Sequence, residues 1–242
     1  GGDEFSFAGY MEDGSEDSYL AFLYDIDVSP EVDNIHNIAV AGIATNAGHD
    51  DILWGSVYRL EAGTWLSGAW EDTAFYDGWD DLDESGEDWD DRPIYSIAVV
   101  DVEFSPNFDM DDTIVCMTSN LDFTNGVEPL PYLQEGIWES GGAWNGKAGF
   151  SDAVQITDEG NDLYTLPGIK SMGTALPDDF DGTDPGANNI YLYVDAFDTV
   201  TEVVGGYVFI CEDGALTGRC GPSGDPLLAS IDVYGDADTC KA

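Results

Sequence analysis

The feature that most constrains the fold of this chain is a motif that recurs about three times. A strand-like stretch ending in a proline step occupies residues 25–30 and again residues 101–106, and a shorter form occupies residues 173–177. The prolines of these steps, Pro30, Pro106 and Pro177, lie 76 and 71 residues apart. Self-similarity at a nearly fixed spacing, with strands as the unit, is typical of stacked sheets and of propeller blades.

The chain is predicted to be all-β, as a β-propeller-like array of about three repeated blades. Helices are disfavoured because 29 glycines and 10 prolines interrupt the chain every few residues. Residues 18–28 and 94–104 are rich in Ile, Val, Tyr and Phe and are predicted as strands. The predicted units are an N-terminal segment or strand at 1–24, a first repeat at 25–92 with an acidic, aromatic insertion at 71–93, a second repeat at 93–172, a third at 173–228, and the start of a fourth, truncated repeat at 229–242.

An array of this kind is expected to need a neighbour. A repeat buries its apolar face only against the next repeat, so about three repeats leave one large face uncovered unless more chain or another subunit packs there. We therefore expect the native protein to be longer, or this chain to be one part of a larger propeller or assembly.

The charge of the chain limits its partners. Its 50 acidic and 6 basic residues give a net charge of -44, and such dense like charge opposes compaction unless bound divalent cations or high salt offset it. Nucleic acid is not expected as a partner, because Lys and Arg must supply the charge that releases counterions from phosphates. An anionic membrane surface is disfavoured likewise, and no apolar run approaches the roughly 20 residues that span a bilayer.

The four cysteines favour an oxidising, extracellular compartment. Cys211 and Cys220 flank a glycine-containing turn, which would let them face each other across a hairpin and form a disulfide. Cys116 and Cys240 are left either to pair or to stay buried, and Cys116 has the alternative of being a small core residue.

The insertion at residues 71–93 interleaves aromatic residues with carboxylates. Pure charge runs are usually solvated and mobile, but Phe75, Trp79, Leu82 and Trp89 supply apolar anchors that could lie on a sheet. We therefore predict an ordered, cation-dependent loop here rather than a disordered linker.

Three stretches, residues 101–115, 149–156 and 175–185, carry a family resemblance. They resemble the repeats of large bacterial secreted and surface-layer-type β-propellers with degenerate BNR or Asp-box-like blades. Residues 59–65 and 139–144 keep the glycine and tryptophan of the Asp box but lack its full Ser/Asp pair. The resemblance implies that Trp65 and Trp144 pack between blades and that the boxes hold turns rather than perform chemistry.

Two acidic turns are candidate calcium sites. Each follows a Ser-Pro or Leu-Pro step at the same place in the repeat, and clustered carboxylates in short flexible turns suit Ca²⁺ better than Mg²⁺. The alternative is an ordinary Asp-rich turn held by Asx hydrogen bonds. The candidate ligands are Asp109, Asp111, Asp112, Asp178, Asp179, Asp181 and Asp184.

Catalysis has little support in the sequence. His36 and His49 are the only histidines, zinc lacks a cluster of ligands, and Arg59, Arg92 and Arg219 fall in unlike contexts that do not suggest a sialidase-type arginine cluster. Carbohydrate binding or cleavage by a BNR-type propeller is the alternative function. Tryptophans that could form a sugar-stacking platform are Trp54, Trp70, Trp79, Trp89 and Trp138.

The predicted function is structural and not enzymatic. We expect an extracellular protein of a surface layer, sheath or filament, stabilised by Ca²⁺ or a similar cation, whose partners are copies of itself or other surface proteins. Repetition supplies broad rigid faces, and the carboxylates supply cation-bridged contacts between copies.

Overall fold

The described residues form three antiparallel sheets. The computed structural model describes residues 18–46, 49–63, 70–73, 98–119, 131–137, 143–145, 153–156, 169–197 and 204–220. The all-β prediction is confirmed for this part of the chain. The predicted strand at 18–28 is present in full, and the one predicted at 94–104 is present from residue 98, with residues 94–97 lying outside the described ranges.

Each sheet is a meander in which the strands pair in chain order. The first sheet contains β1 (Ser18–Val28), β2 (His36–Asn46), β3 (His49–Ala62) and β4 (Glu71–Asp72). The second contains β5 (Ala98–Phe104), β6 (Thr113–Ser119), β7 (Pro131–Ile137) and β8 (Ala143–Trp144), and the short β9 (Val154–Gln155) also pairs with β7. The third contains β10 (Ile169–Ala175), β11 (Asn189–Phe197), β12 (Val204–Glu212) and β13 (Ala215–Cys220).

A single turn of helix, α1 (Phe108–Asp111), follows the proline step of the second sheet. Phe108 at its start lies against Phe104 with the rings edge to face, 4.8 Å between centroids, so the turn is anchored on the sheet. Within the described ranges, no helix is long and apolar enough to cross a membrane.

The core lies between the sheets. Between the first and second sheets, the small side chains of Ala39 and Ala41 meet the large side chains of Phe104 and Trp144. Between the second and third sheets, a cluster around Met117 joins residues of both sheets. Because each such large side chain stabilises the fold by roughly 1.5–3 kcal/mol on burial, face-to-face packing of successive sheets is the main source of stability.

Trp144 fills the space between the first two sheets. Its side chain is 2% exposed, and its Nε1–H donates to the carbonyl oxygen of Thr73 at 2.9 Å. Gly136 makes room for the ring, since a Cβ there would lie 3.0 Å from the indole carbons. Packing between sheets is thus confirmed for Trp144, whereas Trp65 lies outside the described residues.

The predicted disulfide between Cys211 and Cys220 is wrong. The β12–β13 hairpin turns tightly at Asp213 and Gly214, which places Cys211 opposite Leu216 and Cys220 opposite Val208. Cys211 is a buried free thiol whose pKa is raised to about 12 by burial. Cys116 is also a buried free thiol, with its pKa raised well above the usual value by burial, as expected of a small core residue.

Candidate interaction surface on the first sheet

Carboxylates of β1 hold the first strand of the second sheet. The backbone N–H of Val102 donates to Asp25 Oδ2 at 3.0 Å, and that of Phe104 donates to Asp27 Oδ2 at 2.8 Å. Both donors lie 77 residues beyond their acceptors. An edge strand presents a row of unpaired backbone groups, and here two side chains of the preceding sheet satisfy the amides of that row.

The same arrangement joins the second sheet to the third. Asp101 Oδ2 accepts from the backbone N–H of Thr174 at 2.7 Å and from its hydroxyl at 2.6 Å. Glu103 Oε1 accepts from the backbone N–H of Leu176 at 3.4 Å. We call these two sets of contacts the carboxylate clamps, and in both the acceptors belong to the earlier sheet and the amides to the later one.

Burial makes the second clamp electrostatically costly. Desolvation raises the pKa of Asp101, the hydrogen bonds from Thr174 oppose that rise, and the nearby carboxylates of Asp25 and Asp27 add to it. Desolvation likewise raises the pKa of Glu103, against the hydrogen bond from Leu176. The first strands of the first two sheets thus carry four carboxylates, and each of them accepts a hydrogen bond from a backbone amide of the next sheet.

The third sheet does not continue the series. Gly173 and Ala175 occupy the positions of β10 that correspond to Asp101 and Glu103, each one residue before the amide held by the clamp. A side chain at position 173 would be crowded, since a Cβ there would lie 2.6 Å from Cε1 of Tyr193 and 3.0 Å from Asp101 Oδ1. The side of β10 that would face a following sheet thus carries neither carboxylate.

β1 has two amides in the positions that the clamps occupy in β5 and β10, but no described carboxylate accepts from them. The backbone N–H of Ser29 donates into β2, to the carbonyl oxygen of Asn37. Because successive amides of a strand point to alternate edges, the amides of Val28 and Ile26 point to the open edge of β1. Ser105 in β5 donates into β6 in the same way, with the clamped amides of Phe104 and Val102 on the opposite edge.

Side-chain exposure shows the same difference. Val102 and Phe104 pack against the first sheet and are only 3% and 4% exposed. Their counterparts in β1, Ile26 and Val28, are 63% and 50% exposed. β1 exposes three further large apolar side chains, those of Phe22, Leu23 and Tyr24. We call these five residues the β1 stripe. Contiguous exposed apolar side chains beside an open strand edge are typical of a protein interaction site.

The first candidate calcium turn is held together by Asp111. This side chain is 2% exposed, and its carboxylate accepts from the hydroxyl of Ser105 at 2.7 Å, from the N–H of Thr113 at 3.1 Å and from the N–H of Gly182 at 2.9 Å. Asp112 follows in the left-handed region at φ 47°, and Asp109 is exposed. The oxygens of Asp111 are therefore occupied by protein donors.

The structure brings the second acidic turn against the first. Gly182 donates to Asp111, and Asn107 Nδ2 donates to the carbonyl oxygen of Phe180 at 2.5 Å. Within the second turn, Asp181 accepts from Thr183 and Asp184 accepts from the N–H of Gly186, as in Asx turns.

Asp178 and Asp179 are exposed in this second turn. Within the ranges given above, no three His, Cys, Asp or Glu side chains are grouped to hold a metal. Calcium binding stays a prediction.

Arg59 lies beside a small cavity between the first two sheets. The guanidinium is buried, which lowers its pKa to about 10 against the opposing charge of Glu61, whose Oε1 lies 3.2 Å from Nη2. The adjoining cavity, lined by Phe104, Ile114 and Trp144 among others, has a volume of about 10 Å³. That is about the room of one water molecule and far below a ligand pocket.

The other residues considered for sugar chemistry are spread through the fold. Trp54 is buried in a core cluster of the first sheet, and Trp70 packs against that cluster. His36 binds the carbonyl oxygen of Ser29 through Nδ1. Glycan binding stays a prediction. Candidates that fall outside the described residues are Trp79, Trp89, Trp138 and Arg92, together with most of the insertion at 71–93.

The clamp carboxylates were not predicted from the sequence, although a signal for them was present. Asp25 and Asp27 recur as Asp101 and Glu103 at a spacing of 76 residues, inside the repeat that was recognised. The chain has no match among protein-family models, curated proteins or solved structures. The function is therefore inferred from the surface of the protein itself.

Proposed function

We propose that this protein is an extracellular structural protein that assembles at a cell surface, in a surface layer, sheath or filament, and that its sheets are blades of a propeller-like array. The observation that carries this proposal is the exposure of Ile26 and Val28, at 63% and 50%, in positions where the next sheet buries Val102 and Phe104 to 3% and 4%. The β1 stripe thus exposes apolar side chains at positions that are buried where one sheet packs on another.

The stripe supplies a substantial driving force for association. Full burial of one large apolar side chain contributes roughly 1.5–3 kcal/mol. Ile26 and Val28 are already partly covered, so burying their exposed fractions of 63% and 50% would contribute about 2–3 kcal/mol before the cost of association, and Phe22, Leu23 and Tyr24 enlarge the patch. A charged acceptor for each open amide would add roughly 1.5–3 kcal/mol.

Divalent cations have a defined part in this proposal. Two chains that each have a net charge of -44 repel one another. Salt screens that repulsion, with a Debye length of about 8 Å at physiological ionic strength. Ca²⁺ held by the exposed carboxylates of Asp109, Asp178 and Asp179 would neutralise charge locally and bridge copies.

The test is sedimentation velocity and electron microscopy of the full chain in calcium, in EGTA and at high salt. Ordered assemblies that dissolve in EGTA and return with calcium are expected. Ile26→Asp should abolish assembly, whereas Leu53→Asp, which adds the same charge at a side chain 42% exposed on β3, should leave it unchanged. Discrete particles under all three conditions would refute the proposal.

A further inference from the structure

We propose that Tyr191, Tyr193 and Val208 of the third sheet form a face that receives the β1 stripe of a second copy, with the two tyrosine hydroxyls accepting from the open amides of Ile26 and Val28. We call these three residues the tyrosine face. The inference rests on the assembly function proposed above, because it names the surface on which the stripe docks. Both surfaces lie in the described part of the chain.

The tyrosine face is the side of the third sheet that points away from the second sheet. Side chains alternate along a strand, and Leu192 and Val194 of β11 are buried in the core between the second and third sheets. Tyr191 and Tyr193 therefore point outward, and they are 42% and 46% exposed. Val208, opposite Tyr193 in the β11–β12 register, is 45% exposed.

The same positions are buried in the other two sheets. Met117 pairs with Leu133 as Tyr193 pairs with Val208, and Met117 lies 76 residues before Tyr193. The counterparts are all 0% exposed, because the following sheet packs on them. They are Ala39, Ala41 and Val57 in the first sheet and Val115, Met117 and Leu133 in the second. This side of a sheet is therefore the side on which the next first strand docks.

The two tyrosines pair with the small residues that replace the clamp carboxylates. Tyr193 lies opposite Gly173, and Tyr191 lies opposite Ala175. The ring of Tyr193 covers Gly173, since Cζ, the carbon that carries the hydroxyl, lies 3.1 Å from the position of a Cβ at residue 173. A phenolic oxygen, which can accept a hydrogen bond, thus lies close to the place from which a clamp carboxylate would project.

Neutral acceptors suit a contact between two molecules of this protein. Each chain has a net charge of -44, so a clamp made of carboxylates would add like charge where two copies meet. Inside the molecule this cost is visible at Asp101, whose pKa is raised by desolvation and further by Asp25 and Asp27. A tyrosine hydroxyl accepts from an amide without that charge, and its ring adds apolar contact area.

β1 is the matching strand. In the two described junctions, the outward amides of the next first strand meet the acceptors of the preceding sheet. Ile26 and Val28 lie 76 residues before the clamped Val102 and Phe104. Among the described first strands, β5 and β10 are already clamped, and β1 has the open pair. The tyrosine face and the β1 stripe are thus two halves of one further junction, and such a head-to-tail contact propagates into a chain of copies.

The experiment is sedimentation velocity of the full chain combined with amide hydrogen exchange at low and high protein concentration. By analogy with the clamps, Tyr193 should serve the amide of Ile26 and Tyr191 that of Val28. Tyr193→Phe keeps the ring, and it should reduce the concentration-dependent protection of Ile26 and weaken assembly about fivefold, the loss expected for one neutral hydrogen bond. Tyr24→Phe makes the same change at a tyrosine 49% exposed and should alter neither quantity.

Mixing provides a second measurement that does not depend on the hydroxyls. Val208→Asp blocks the tyrosine face and Ile26→Asp blocks the stripe, so neither variant alone should form chains. A 1:1 mixture should form a dimer through the one intact face and the one intact stripe. Leu53→Asp carries the same added charge and should assemble alone.

The possible failures are distinguishable. Assembly of Val208→Asp equal to that of Leu53→Asp would refute the tyrosine face as the docking surface, and the assembly function would stand if Ile26→Asp still failed to assemble. Assembly that Tyr193→Phe leaves unchanged would refute the hydroxyls as acceptors. Protection of Ile26 and Val28 that is strong at every concentration would show that the same molecule covers the stripe. A chain that never assembles would refute both the inference and the assembly function.

Discussion

Replacing Asp101 with alanine removes one of the two carboxylates that tie the second sheet to the third. Its Oδ2 accepts two short hydrogen bonds from Thr174, at 2.7 and 2.6 Å, and each hydrogen bond to a charged group contributes roughly 1.5–3 kcal/mol. The variant also relieves the desolvation of Asp101 and its repulsion by Asp25 and Asp27. We therefore expect a net loss of about 2 kcal/mol, which corresponds to about 4–8 °C in Tm for a chain of this size.

The assay is calorimetry and urea unfolding in EGTA, so that calcium does not contribute. Asp178→Ala is the matched control, since it removes the same charge from an exposed turn and should change stability by less than about 0.5 kcal/mol. Asp101→Asn keeps an acceptor oxygen for Thr174 and removes the charge that burial disfavours, so it should be no less stable than Asp178→Ala. If Asp101→Ala were no less stable than Asp178→Ala, the clamp would not contribute to stability and the reasoning would be refuted.

Three further predictions concern pH and buried side chains. Because the pKa values of Asp101 and Glu103 are raised in the folded state, the folded protein takes up protons before the unfolded chain as pH falls. The free energy of unfolding should therefore increase as the pH is lowered from 7 through those pKa values. This additional stability should be lost when the pH is raised again. Asp101→Asn should flatten this rise in urea titrations at several pH values. Asp111→Ala leaves three donors without their acceptor and should destabilise by about 2–4 kcal/mol in urea unfolding, against about 0.5 kcal/mol or less for exposed Asp109→Ala. Trp144→Phe loses the hydrogen bond to Thr73 and leaves a void, and should lower stability by about 1.5–3 kcal/mol, seen as a lower Tm.

The strand content and the strand-based repeat follow from local properties of the sequence. Alternating and continuous apolar stretches bounded by Gly and Pro predicted β1 in full, because strand formation depends on side-chain pattern and on breakers that act locally. The family resemblance likewise placed Trp144 between sheets, where its ring lies over Gly136. The disulfide prediction failed because register depends on the turn, and the tight turn at Gly214 sets Cys220 opposite Val208.

The role of the acidic residues depended on tertiary contacts. Sequence alone grouped Asp109, Asp111 and Asp112 as equivalent candidates for a cation, because all three offer carboxylate oxygens in one turn. Folding separates them, since Asp111 is buried and binds Ser105, Thr113 and Gly182, while Asp109 faces solvent. Neighbours in sequence can therefore have different chemistry when a distant segment supplies the donors.

By itself, the sequence of this protein determined the β class, the repeat and the excess of negative charge, since composition and short-range pattern are sufficient for each. The tertiary structure alone decided that Asp25, Asp27, Asp101 and Glu103 join successive sheets. It also decided that Ile26 and Val28 are exposed where their counterparts in the second sheet are buried. The physical reason is that a clamp needs a carboxylate and an amide more than 70 residues apart, and only packing of one sheet on the next brings them together.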